Sequence, residues 1–121
     1  MNHESLRVVE STVCAGVRYS IARISFGRRL ELTRRVRELG QRIAFDEAGE
    51  STDGKLAAAI ARGEIDRLYV EWGLNSIDGL QIDGAPAGAA ELVERGPEHL
   101  CREIVAEIRK ECGLSEEERK N

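Results

Sequence analysis

One spacing occurs three times in this chain and narrows what it can fold into. Leu32, Val36, Leu39 and Ile43 stand at i, i+4, i+7 and i+11, and so do Ala61, Ile65, Leu68 and Trp72, and again Cys101, Val105, Ile108 and Cys112. Such a set lies along one side of an α-helix but on both faces of a strand. The sequence therefore predicts three long helices, each with one side to bury. The first runs from Phe26 to about Glu47 with Ser25 as N-cap, and the second from about Asp53 to Trp72. The last starts with Pro97 in its first turn, carries Leu100 and Ile104 beside its stripe, and closes at Gly113.

Ahead of Phe26 the period is two. LRVVES and VRYSIARIS read as paired strands, with Val17, Tyr19 and Ile21 alternating with Arg18 and Ser20, and Ala15-Gly16 as their turn. In IDGLQIDGAPAG, Ile77, Leu80 and Ile82 are punctuated by two Asp-Gly pairs, the pattern of a small β-hairpin or paired turns. A short helix, about Ala89 to Glu94, then ends at Gly96. The predicted fold is α+β and mainly helical: an N-terminal strand pair and a small β-hairpin packed with three to four helices. At 121 residues it is read as a single domain, with 114–121 as a disordered charged tail.

Composition excludes several classes. A chain 41% hydrophobic and 33% charged, with no apolar run near the ~20 residues that span a bilayer, reads as soluble and globular. MNHESLRVVE has no basic segment leading into an apolar one, so no secretory signal is visible and a cytoplasmic location is expected. Cys101 and Cys112 would lie about 16 Å apart on one helix, too far to pair, and fall on its apolar side as reduced thiols. Neither they nor Cys14, His3 and His99 have the local spacing of a zinc site.

GESTDGK at 49–55 matches G-x-x-x-x-G-K, the start of a phosphate-cradling P-loop. That loop requires a buried strand before it and a Ser or Thr hydroxyl after the Lys. Here QRIAFDEA is the end of an amphipathic helix, Leu56 holds the hydroxyl position, and Glu50 and Asp53 would put negative charge where phosphate belongs. The segment reads instead as a helix-helix loop in which Thr52 or Asp53 caps the second helix. Glu91, Glu94, Glu98 and Glu103 read as solvated helix faces, with Glu98 and Arg102 an i, i+4 pair. No nucleophile, base and orienting group assemble, so the expectation is a protein without catalytic, cofactor-binding or metal-binding residues.

Charge is unevenly placed: residues 18–42 carry eight Arg against Glu31 and Glu38, a local +6 within an overall −4. Arg28, Glu31, Arg35, Glu38 and Arg42 share one stripe, in which Glu31-Arg35 and Glu38-Arg42 are favourably ordered i, i+4 pairs. Arg29, Arg34 and Arg37 add positive charge for an acidic partner or phosphate. The acidic balance of the chain and its scarcity of Lys and interleaved aromatics there make nucleic acid the weaker choice. Tyr69 and Trp72 lie on an apolar stripe and read as core. At the other end, Ser115 and Glu118 form a capping box with only a few residues after it, too few for a helix. Lys120-Asn121 is compatible with a slippery codon pair, so a frameshift-extended product with a second domain is an expectation that the gene's nucleotides test.

ISFGRRLELTRRVREL, EIDRLYVEWGL and GLQIDGAPAGAAELVERGPEHLCREIVAEIRKECGLSEEERKN, taken in that order over residues 17–121, resemble the small tail assembly chaperones of tailed phages and prophages. The resemblance lies in texture and element order, and it carries over no site residues. It implies a non-catalytic protein that keeps the tape measure protein, or another tail protein, soluble while the tail tube assembles. The expected partner-binding residues are Arg28, Arg29, Arg34, Arg35 and Arg37 on the basic helix and Glu116, Glu117 and Glu118 in the tail. A structural virion component forming a ring of copies, as in a connector or tail-completion subunit, is the alternative. A nucleic-acid-binding regulator using the Arg-rich helix is the weaker third.

Overall fold

The computed structural model describes residues 1–49 and 52–113. Among them the predicted α+β, mainly helical architecture forms, with four helices and two small antiparallel sheets. In chain order the elements are β1 (Leu6–Glu10), β2 (Arg18–Ala22), α1 (Phe26–Ala48), α2 (Thr52–Gly73), β3 (Leu74–Asp78), β4 (Gln81–Ile82), β5 (Ala85–Pro86), α3 (Ala89–Arg95) and α4 (Glu98–Cys112). They fall into two compact units. One comprises residues 1–24 together with the described residues from Tyr69 onward, and the other the described residues of Ser25–Leu68.

The first unit is built on a sheet of order β1-β2-β3. Gly16, at φ +83°, closes the turn between the first two strands, where the Val17 N–H donates to the Cys14 carbonyl. Arg7 pairs with Ile21 and Val9 with Tyr19. Tyr19 and Ile21 are buried in the central strand, and the apolar side of α4 supplies Leu100, Ile104 and Ile108, all fully buried. The last turn of α2 contributes Tyr69, also fully buried as expected, with the Arg109 guanidinium 4.9 Å from its ring centre. Trp72 is half-buried.

The third strand is the element that the sequence pattern misses. Leu74 and Ile77 are three apart, the wrong spacing for one face of a strand. The β2–β3 register shifts between Ser20 and Ile21, however, so that Leu74 lies opposite Ile21 and Ile77 opposite Tyr19. Asn75 is the extra residue of this bulge, and it returns both apolar side chains to the inner face. Its Nδ2 donates to Ser20 Oγ at 3.1 Å, and Ser20 Oγ lies 2.6 Å from Ser76 Oγ, so the buried Ser20 is satisfied.

Of the two Asp-Gly pairs, only the second makes a hairpin. Asp83 and Gly84 both have positive φ (53° and 81°) and join β4 to β5, which pair as Gln81 with Pro86 and Ile82 with Ala85. That is the two-residue turn for which Asp-Gly is suited. The first pair ends β3: Gly79 sits at φ +85°, and a Cβ there would run into the Gly16 carbonyl oxygen. Arg95 of α3 reaches back to Asp83 at 2.8 Å. Pro97 occupies the N-cap of α4 rather than its first turn, and Gly113 closes α4 in the left-handed conformation at φ 70°.

In the second unit, the Ser25 hydroxyl accepts from the Arg28 N–H at 3.3 Å, the predicted cap of α1. Helix α1 continues to Ala48 and α2 begins at Thr52, so Gly54 and Lys55 lie in a helical turn and no strand delivers the chain to Gly49. Thr52 and Asp53 are inside the first turn of α2 rather than at its cap. Among the described residues, no helix is long and apolar enough to cross a membrane.

Candidate functional site

The two units differ sharply in how much they bury. In Ser25–Leu68 the buried apolar residues, among those described, are Leu32, Ala58, Ala61 and Ile65. Val36, Leu39 and Ile43, expected to share the buried stripe of α1, are only half-buried. One Leu, one Ile and two Ala make a thin core for α1 and the part of α2 up to Leu68; the buried Tyr69 and Val70 of α2 belong to the first unit. Large apolar side chains stand in solvent on the same helices: Phe26 is 83% exposed and Phe45 81%, with Leu30, Leu56 and Ile60 near 60%. Exposed aromatics at this level, in a chain with only 4% aromatic residues, single out α1 as a candidate binding surface.

The charged residues of α1 divide into two groups. On one stripe, Arg35 pairs with Glu31 at 2.9 Å as predicted. Arg42 does not meet Glu38 as expected; among the described residues its nearest carboxylate contact is Glu64 of α2 at 3.9 Å. Arg28 and Arg29 are engaged in interactions of their own. Arg34 and Arg37, in contrast, are exposed and form no ion pair among the described residues. Of the expected partner-binding residues, then, α1 presents Arg34 and Arg37 unpaired beside exposed apolar groups. Glu116, Glu117 and Glu118 lie outside the described residues.

A second polar constellation, within the first unit, was not legible as such. Glu103, Glu107 and Glu111 stand at i, i+4 and i+8 on α4, next to its buried stripe, and they clamp the β1–β2 hairpin. Arg7 meets Glu107 at 3.1 Å and Glu111 at 3.4 Å, and Arg23 approaches Glu111 at 3.9 Å. Glu103 accepts from the Thr12 N–H at 2.7 Å, the Thr12 hydroxyl at 2.8 Å and the Ser11 hydroxyl at 2.8 Å. The expected solvated face is thus corrected at Glu103: it is half-buried and fully engaged. Burial alone would raise its pKa, but the bonds from Thr12, Ser11 and the Val13 backbone outweigh that and hold the carboxyl below its usual range. Burial first, and then the charges of Glu103 and Glu107, push the Tyr19 hydroxyl well above the usual phenol range. The signal available in the sequence was the i, i+4, i+8 spacing of the three Glu, but its partners are about ninety or more positions away.

None of the three cysteines forms a disulfide. Cys112 is buried, as expected. Cys101 is half-buried, its thiol contacting the Leu92 carbonyl at 3.6 Å, and burial together with Glu98 pushes that thiol's pKa up. Cys14 is half-buried at the hairpin turn, 3.5 Å from His99 Nε2. Among the described residues no group of three or more His, Cys, Asp or Glu is placed to hold a metal ion.

No family model, curated protein or solved structure matches the chain.

Proposed function

We propose that this protein is a non-catalytic binding protein of phage tail morphogenesis, a tail assembly chaperone whose partner is the tape measure protein. It works by covering apolar surface of another polypeptide. The observation that carries this reading is the contrast within Ser25–Leu68: little is buried there, while Phe26, Leu30, Phe45, Leu56 and Ile60 are left in solvent. A helix pair with so thin a core gains more from an external apolar surface than a closed bundle would. A long helical partner such as a tape measure protein offers apolar stripes of the matching kind. The resemblance in element order to tail assembly chaperones supports the choice of partner.

Co-expression with fragments of a phage tape measure protein tests the reading. The fragments are expected to stay soluble and to co-elute with the protein. Fragments that precipitate equally with and without it would remove the tail-assembly assignment.

The structural-component reading is favoured by one observation. β1 is an edge strand with Val8 64% exposed, so its outer side is open to pairing with another copy. Stable rings of this chain in the absence of any partner would favour that reading over the chaperone.

A further inference from the structure

The exposed side chains of α1 have an order that specifies more than an apolar surface. Phe26, Leu30, Arg34, Arg37, Gln41 and Phe45 follow one another at i, i+4, i+8, i+11, i+15 and i+19, which is a single stripe of the helix. All six are exposed. The stripe has apolar groups at both ends and two arginines at its centre. Of the two carboxylates of α1 nearby, Glu31 is engaged by Arg35, while the exposed Glu38, four residues after Arg34 and seven before Phe45, borders the stripe and leaves its centre at a net charge of about +1. From Phe26 to Phe45 is about 28 Å along the axis at ~1.5 Å per residue.

We propose that this stripe is a docking surface for an acidic amphipathic helix. The partner helix is about five turns long, apolar at its two ends and bearing Asp or Glu at its middle. Charge complementarity decides between the possible occupants. A second copy of this helix, docked antiparallel on the stripe, would set Phe26 against Phe45 but bring Arg34 against Arg37 at the centre and Leu30 against Gln41, so that like charges meet in the middle of the contact and oppose pairing. Nucleic acid would be met by only two positive charges, interrupted at both ends by aromatic and aliphatic groups with no further Lys or Arg on the stripe. An acidic helix satisfies both features: its apolar residues cover Phe26, Leu30 and Phe45, and its carboxylates meet Arg34 and Arg37. The inference rests on the reading of the protein as a binding protein, and it adds where the partner sits and what chemistry it presents.

The test uses the full chain and two fluorescently labelled helical peptides with identical leucine positions. One has glutamate at the central exposed positions and the other lysine. The expected result is that the glutamate peptide binds at least about tenfold more tightly than the lysine peptide. Arg34→Glu with Arg37→Glu is expected to reverse that order, and Phe26→Ser with Phe45→Ser to weaken the glutamate peptide about thirtyfold or more. Val13→Ser, at an exposed apolar position of the first unit, is expected to leave it unchanged. Urea unfolding of each variant verifies that it is folded, and because these side chains are exposed the midpoints should match the parent. Equal affinity for both peptides, no reversal in the double Glu variant, tighter binding of single-stranded DNA than of the glutamate peptide, or self-association abolished by Phe26→Ser would each overturn the proposal. The same variants separate it from the functional reading. Capture of tape measure fragments that Phe26→Ser with Phe45→Ser does not diminish leaves the chaperone assignment standing and refutes the stripe. Selective peptide binding without fragment capture does the reverse.

Discussion

Replacing Glu103 isolates the clamp that holds the β1–β2 hairpin to α4. In Glu103→Ala three bonds to an ionised acceptor disappear, from the Thr12 N–H, the Thr12 hydroxyl and the Ser11 hydroxyl. A bond to a charged group contributes about 1.5–3 kcal/mol where it is sheltered. Only the Ser11 bond is partly buried, so it is assigned the low end of that range, and the two exposed Thr12 bonds about 0.5 kcal/mol each after solvent screening. Alanine returns a few tenths of a kcal/mol in helix propensity. The expected loss is therefore about 2 kcal/mol at neutral pH, and about half that for Glu103→Gln, whose amide oxygen still accepts. The effect has a pH signature. The folded state holds the Glu103 carboxyl below its unfolded value, which is about 4.3 for an ordinary Glu. Its stabilisation is thus complete above that unfolded value and is lost as pH falls through the lower, folded one. Urea unfolding followed by far-UV circular dichroism across that range should show the gap between parent and Glu103→Ala full near neutrality and shrinking in acid. A gap under about 0.5 kcal/mol at neutral pH, or one that acid leaves unchanged, would refute the clamp.

Further outcomes follow from the packing. Ile108→Ala, at a fully buried position where a Cβ on Gly73 would already collide, should lower stability by about 2–5 kcal/mol in urea unfolding. Gly79→Ala should lower it by at least about 1–2 kcal/mol, since alanine is disfavoured at φ +85° and its methyl meets the Gly16 carbonyl oxygen. Gly63→Ala on the exposed side of α2, with open space around it, should raise it by about 0.5–1 kcal/mol. A thiol-reactive disulfide reagent should modify Cys14 first, Cys101 more slowly because burial disfavours its thiolate, and Cys112 only on unfolding, as followed by mass spectrometry of peptides.

The local part of this structure was open to reading from sequence. The caps at Ser25 and Gly113 stand where the pattern put them, the long helices match it to within a residue or two at their ends, and of the two Asp-Gly turns it marked, Asp83-Gly84 closes a hairpin, because all of these depend on residues within one helical turn or one hairpin. β3 escaped because its bulge at Asn75 changes the spacing of Leu74 and Ile77, and a bulge is decided by the neighbouring strand. Glu103 escaped for a similar reason: an exposed-looking helix position becomes a clamp only when residues 11 and 12 are folded against it. Arg42 is the reverse case, a predicted local pair that does not form while Glu64 of the other helix lies 3.9 Å away. On α1 the periodic apolar spacing marks the stripe of Leu32, whereas the opposite stripe, with two arginines between Leu30 and Phe45, has no such period, and its exposed apolar groups are visible only in the structure.

The proposed covering of another polypeptide's apolar surface is tested most directly by the heat capacity of binding. Titration calorimetry of the full chain with soluble segments of the tape measure protein, repeated over a range of temperatures, should give a binding enthalpy that becomes more negative on warming, the negative ΔCp of apolar burial. Saturable binding with a ΔCp near zero, or no heat from any segment at any temperature, would contradict it.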